Sequence, residues 1–205
     1  MTALDLLLPA SCSGCGRRGP ACCATCLDAF GPPTRLQVPG VGPPVWTLTA
    51  YHGAARELVL AFKERGARAI AAWFGALVAA ALVSVGPPPW TLVPAPSRRS
   101  AARDRGGDHM LRIAREVELA AVAPVLRLAP GVADSVGLGA GARRRNLEGR
   151  VQVCGRPPPG TTVLLDDVIT TGATASACVR ALRQSGVRTN AVLVLTSARP
   201  HRPGD

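Results

Sequence analysis

The stretch Val163-Leu-Leu-Asp-Asp-Val-Ile-Thr-Thr-Gly-Ala-Thr-Ala175 decides the fold. The apolar run Thr162 to Leu165 reads as a buried strand. Two adjacent carboxylates, Asp166 and Asp167, follow at its C-terminal end. Thr170-Thr171-Gly172-Ala173-Thr174 then opens a helix whose apolar positions are Ala175, Cys178, Val179 and Leu182. In open α/β sheets, ligands bind outside the carboxyl ends of the strands. The free N–H groups of a helix N-terminus receive phosphate. Carboxylates beside such a cradle accept from hydroxyls, and Gly172 lets the backbone approach closely. The ligand expected here carries a phosphate and vicinal hydroxyls, or is a metal ion. An ordinary strand–turn–helix with a threonine N-cap is the plainer alternative.

Outward from this stretch, strands alternate with helices. Val45 to Tyr51 reads as a strand, followed by a short helix with Leu58, Val59 and Phe62 on one face and Lys63-Glu-Arg-Gly66 at its end. The alanine-rich run Ala69 to Val85 places Ile70, Trp73, Phe74, Leu77, Val78 and Leu82 on one helical stripe, and Gly86-Pro-Pro-Pro89 stops it. Thr91 to Val93 is a strand entering Pro94-Ala-Pro-Ser-Arg-Arg99. The charged segment Arg98 to His109 is expected to stay exposed. A helix is predicted from about Met110 to Ala121, a strand at Val125 to Leu128, a glycine- and arginine-rich loop at Ser135 to Glu148, and a late strand at Asn190 to Thr196. This alternation predicts an α/β fold with a mostly parallel sheet flanked by helices.

Five of the seven cysteines fall between Cys12 and Cys26. In a chain with no convincing secretion signal, such a cluster points to metal rather than disulfides. Cys12-Ser-Gly-Cys15 has the shape of a zinc knuckle and Cys23-Ala-Thr-Cys26 supplies a second pair. Four thiolates give a closed tetrahedral site, structural rather than catalytic. Cys22 is an alternative to Cys23, and Cys154 and Cys178 are expected in the core. Residues 1–40 therefore read as a zinc-binding module with a Pro/Gly-rich linker from Gly31 to Pro44, residues 41–198 as the main domain and residues 199–205 as a disordered tail.

The net charge of +11 comes almost wholly from arginine, Lys63 being the only lysine. Such a surface favours polyanions, whether phosphorylated metabolites, nucleic acid or an anionic membrane, or is simply a solvated basic face. Leu6-Leu7-Leu8 is too short for a signal core. The run ending at Val85 resembles a membrane span in hydropathy, but its helical stripe reads as a core helix, so no membrane span and a cytoplasmic location are expected. Lys63 lacks the glycine loop of a nucleotide-binding P-loop. Gly137-Leu-Gly-Ala-Gly141 lacks a strand before it, and His52, His109 and His201 form no metal pair by spacing.

The string from Asp166 to Thr174 closely resembles the binding signature of type I phosphoribosyltransferases, enzymes that use phosphoribosyl pyrophosphate (PRPP). The resemblance implies that Asp166 and Asp167 serve the ribose hydroxyls, directly or through Mg2+. It implies that Thr170, Thr171, Gly172, Ala173 and Thr174 hold the 5′-phosphate. Tyr51 to Gly66, Leu92 to Arg99 and Arg143-Arg-Arg-Asn146-Leu, with the cysteine pairs in front, resemble the ComF family over nearly the whole chain.

That likeness implies phosphoribosyl transfer to a nitrogen acceptor with release of pyrophosphate, Mg2+ with PRPP and structural Zn2+. The family is associated with DNA uptake, so a non-catalytic alternative would have single-stranded DNA or a DNA-uptake helicase as partner, although few aromatics are available for base stacking. Arg98, Arg99 and Arg105 are candidates to hold pyrophosphate through bidentate guanidinium contacts. Lys63 matches a family position and otherwise serves as a helix C-terminal cation. Where the family usually carries Arg-Gly-Phe-Asn-Gln, this chain has Arg105-Gly-Gly-Asp-His109. Asp108 is expected near the pyrophosphate, where it would bind Mg2+ or weaken anion binding.

Overall fold

Trp90 to Pro94, Thr161 to Ile169 and Ala191 to Ser197 are nearly continuous apolar and β-branched runs, the pattern of strands covered on both faces. In the computed structural model of the chain, which describes residues 11–97, 107–129, 149–157 and 159–199, these runs lie side by side at the centre of one sheet. In chain order the described elements are α1 (Ala24–Leu27), β1 (Thr34–Leu36), β2 (Val45–Thr47), α2 (Gly53–Glu64), a 3-10 turn (Arg68–Ile70) leading into α3 (Ala71–Val85), β3 (Trp90–Pro94), α4 (His109–Arg115), β4 (Ala120–Val122), β5 (Leu126–Leu128), β6 (Val151–Val153), β7 (Thr161–Ile169), α5 (Ala173–Gln184) and β8 (Ala191–Ser197).

The main sheet runs β1-β2-β8-β7-β3-β4. It is parallel throughout except for the edge strand β1, which is antiparallel to β2. β5 and β6 pair antiparallel in a separate ribbon. The fold is the expected α/β architecture, a mostly parallel sheet flanked by helices with a four-cysteine cluster near the N-terminus.

Helices α2, α3 and α4 cover one face. Leu58, Phe62, Phe74, Leu82 and Met110 pack there on Leu92, Val163, Leu165, Leu193 and Leu195. All three phenylalanines of the chain gather on this side, Phe74 meeting Phe30 at 5.7 Å and Phe62 at 5.6 Å between ring centres, edge-on as their quadrupoles favour. Helix α5 covers the other face, placing Ala175, Cys178 and Leu182 on Val93, Leu164, Val192 and Val194.

Arg68–Val85 is long and apolar enough to cross a membrane by length and a mean hydropathy of 1.9. Phe74, Val78 and Leu82 on α3 are nevertheless fully buried against the sheet side of the core. Trp73 departs from the predicted stripe: it lies one helical step, about 100°, from Phe74 and is 43% exposed. Where α3 crosses the end of α4, Gly75 leaves no room for a side chain, because an added Cβ would collide with Glu116.

Four expectations change. Part of the stretch read as linker, Thr34 to Leu36, forms β1 and joins the sheet. The following Val38 and Val41 are buried against the α5 face, and the Ser176 hydroxyl donates to Gly40 O at 2.7 Å. The helix predicted from Met110 to Ala121 ends at Arg115, because pairing of Ala120 to Val122 with β3 overrides local helix preference. Asp108 and His109 are not in an exposed segment: His109 is buried. Cys154 is exposed rather than in the core, whereas Cys178 is fully buried. Arg98, Arg99 and Arg105, the Ser135 to Glu148 loop, Leu6 to Leu8 and residues 200–205 lie outside the described residues.

Candidate functional site

β3 and β7 are adjacent and parallel, and the chain leaves them in opposite directions. From β3 it passes through α4, on one face, to β4 at the sheet edge. From β7 it passes through α5, on the other face, to β8. Such a divergence opens a crevice at the carboxyl ends of the two strands. Ala95-Pro96-Ser97 follow β3 at this end of the sheet, and Asp166 to Thr174 end β7 and lead into α5. Ala95 N donates to Leu165 O at 2.8 Å, which holds the two sides together.

The strand does not stop before the acids but continues through both of them to Ile169. Strand side chains alternate, so Asp166 and Asp167 project to opposite faces. Asp167 turns toward α2 and α4. Its Oδ2 lies 2.7 Å from Lys63 Nζ and 3.0 Å from His109 Nε2, and its Oδ1 accepts from Val168 N at 2.7 Å. Burial works against its charge, yet Lys63 and His109 outweigh burial and hold the carboxyl well below the usual range. Asp166 turns toward α5 and Cys178. Its Oδ1 accepts from Asp167 N at 2.9 Å. Burial, then the charge of Asp167, push it up to about 8.

His109 was passed over in the sequence because no second histidine sits at ligand spacing. The structure joins it to two partners, Asp167 on β7 and Ser97 after β3. A carboxylate has no hydrogen to give, so Nε2–H donates to Asp167. Nδ1 lies 3.1 Å from Ser97 Oγ, which donates to it when the ring is neutral. Ser97 N donates to Asp108 Oδ2 at 3.0 Å. Asp108 Oδ1 accepts from Met110 N at 3.0 Å and Leu111 N at 3.2 Å. Asp108 is thus the N-cap of α4, with a backbone N–H on each of its oxygens. The signal was present, since an aspartate directly before His-Met-Leu is an N-cap pattern. Lys63, a candidate for pyrophosphate, directs its ammonium to Asp167.

The turn after β7 places Thr170 in solvent and half-buries Thr171, Ala173 and Thr174. Gly172, not a threonine, is the N-cap of α5, with φ of 82° and no side chain capping the helix. Thr171 Oγ1 accepts from Ala173 N at 3.3 Å. With no capping side chain on Gly172 itself, the remaining N–H groups of the first turn are suited to an anion. Gly172 is required twice, by its left-handed backbone and because an added Cβ would sit 2.6 Å from Val38 Cγ1.

At the other end of the chain, the Sγ atoms of Cys12, Cys15, Cys23 and Cys26 all lie within 4.8 Å of one another. Cys15 and Cys23 are 3.8 Å apart, close to the ~3.8 Å edge of a tetrahedron with Zn–S bonds of about 2.3 Å. The cluster is compatible with structural zinc. Gly14 N and Cys23 N donate to Cys12 Sγ at 3.4 and 3.3 Å. Burial raises the Cys12 thiol, but donors from Cys23, Cys15 and Gly14 prevail and lower it to about 6, favouring the thiolate a metal needs. Cys22, the alternative ligand, points into the core instead.

No protein-family model matches the chain, and no curated protein does. Among solved structures, two crystal forms of a hypoxanthine phosphoribosyltransferase from Staphylococcus aureus are similar to it. The orthorhombic form aligns at 14% identity and a TM-score of 0.34, over 69% of this chain and 70% of that one. The tetragonal form aligns at 14% identity and a TM-score of 0.36, over 70% and 69%. Both likenesses are distant.

Proposed function

We propose that the chain is a cytoplasmic PRPP-binding protein of the ComF type that transfers the phosphoribosyl group to a nitrogen acceptor. One observation carries this reading: the acid pair and the Thr-Thr-Gly turn stand together at the carboxyl end of β7, next to β3, and lead into a helix whose N-cap is a glycine. The turn suits a 5′-phosphate and the carboxylate of Asp166 suits ribose hydroxyls or Mg2+. In the reaction the bond from ribose C1 to pyrophosphate breaks and a bond from C1 to the acceptor nitrogen forms. Pyrophosphate leaves with the electron pair and the nitrogen gives up its proton.

No covalent nucleophile is needed. The chain's contribution is to fix the sugar and anchor the phosphate. Mg2+, when bound, would neutralise pyrophosphate oxygens, with Asp166 as the acid that fits it, since a backbone N–H is the partner of just one of its oxygens among the described residues. Zn2+ would occupy the four-cysteine cluster as a structural ion. Calorimetry with Mg2+-PRPP tests the reading, with Asp166→Asn as control. Absence of heat with the unmodified chain removes it, and pyrophosphate release on adding purine or pyrimidine bases would identify the acceptor.

A second reading, a non-catalytic module that holds single-stranded DNA or a DNA-uptake helicase, is favoured by the exposed Arg17 and Arg18 on the cysteine knuckle and by the charge of +11. DNA affinity that scarcely responds to salt would count against it.

A further inference from the structure

We propose that the two acids divide their work: Asp166 alone meets the hydroxyls of the phosphoribosyl ligand, while Asp167 is a positioning residue whose partner His109 fixes the distance between the two walls of the crevice. The proposal rests on the PRPP reading above and assigns roles to His109 and Ser97.

Asp167 already receives three donors, Lys63 and His109 on Oδ2 and Val168 N on Oδ1. Its side chain is only 7% exposed. A ribose hydroxyl could reach it only by displacing one of these donors and leaving a buried charge under-satisfied, which is costly. Asp166 is half-buried and holds a backbone N–H on one oxygen.

His109 is the joint. Nε2 reaches β7 through Asp167, and Nδ1 reaches the segment after β3 through Ser97. These are the two walls of the crevice. The ring is wedged edge-on against Phe62 at 6.3 Å and stands on the first turn of α4, which Asp108 caps while also accepting from Ser97 N. Every atom of the imidazole that can bond thus faces a wall, and a side chain of different reach would alter their spacing.

The test measures two quantities on each variant, affinity for Mg2+-PRPP and the thermal midpoint without ligand. Asp166→Asn should lose at least tenfold in affinity with the midpoint unchanged or raised. Asp167→Asn and His109→Leu should lower the midpoint and weaken binding severalfold. His109→Gln carries an amide nitrogen near the place of Nε2 and should restore both, whereas the shorter His109→Asn should not. The proposal is overturned if His109→Gln is no better than His109→Leu. It is equally overturned if Asp167→Asn costs as much affinity as Asp166→Asn at an unchanged midpoint. If the unmodified chain binds no PRPP, the functional reading falls by itself. The midpoints then decide the anchor: a drop with His109→Leu that glutamine repairs keeps it, and equal midpoints dismiss it.

Discussion

The two faces of β7 are built from neighbouring residues and have opposite characters. The Asp167 face carries three helices, the phenylalanine cluster and the cysteine module, whose Cys12, Cys22 and Cys26 share one core with Leu58 and Phe74. Its acid is buried, ionised and held by the Lys63 ammonium and the His109 ring. The Asp166 face carries α5 and the Val38–Val41 strap, and its acid is half-buried with its carboxyl pushed up to about 8. The alternation of strand side chains alone sends adjacent acids to these two environments. One face supplies rigidity and the other keeps a half-buried carboxyl with its proton held more tightly.

The largest break in this contrast should come from metal removal. A strong chelator should lower the thermal midpoint by about 10 °C or more, since binding energy at a structural zinc site is folding energy. Hydrogen exchange should show α2 losing protection before α5. A uniform loss would mean that the two faces do not differ in this way.

Next is Asp167→Asn, which leaves Lys63 and His109 facing a neutral amide. Denaturant unfolding at pH 7 should show a loss of about 3 kcal/mol. The folded carboxyl is depressed, so its contribution is fully present above the unfolded value of about 3.9 and is lost as pH falls from there through the much lower folded value. The gap between variant and parent should therefore begin to narrow only below about pH 4 and go on narrowing as pH falls further.

On the opposite face, Gly172→Ala should cost about 2 kcal/mol through its left-handed backbone and the collision with Val38. Val38→Ala in the same chain should recover part of that loss, as equilibrium unfolding would report.

The smallest effect has the opposite sign. The raised carboxyl of Asp166 keeps a proton that the unfolded chain releases, so its contribution to stability declines as pH rises from about 4 to about 8. Asparagine stays neutral throughout. Asp166→Asn should thus be more stable than its parent by about 1 kcal/mol at pH 8 and equal to it near pH 4.

Much of this arrangement was legible in the residues. Continuous apolar runs announced β3, β7 and β8, and the Asp-Asp to Thr-Thr-Gly succession marked the strand end that faces the crevice. The four cysteines were visible as two pairs, but only packing separates Cys23 from Cys22, which turns into the core. The fate of Asp108 and His109 was harder to read. Both sit in a charged stretch that looks solvated, and the partner of His109 is 58 residues away. Similarly, β1 hides in a Pro/Gly-rich stretch because a three-residue edge strand needs little propensity once β2 offers it a ladder.

The contact between Gly75 and Glu116 gives the molecule a remote lever. Helix α4 rests its far end on a glycine of α3 and presents His109 at its near end. Any bulk introduced at position 75 would tilt α4 as a rod and swing its first turn away from the strand. A substitution with no chemistry of its own, on a different helix, would then be felt at the ends of β3 and β7.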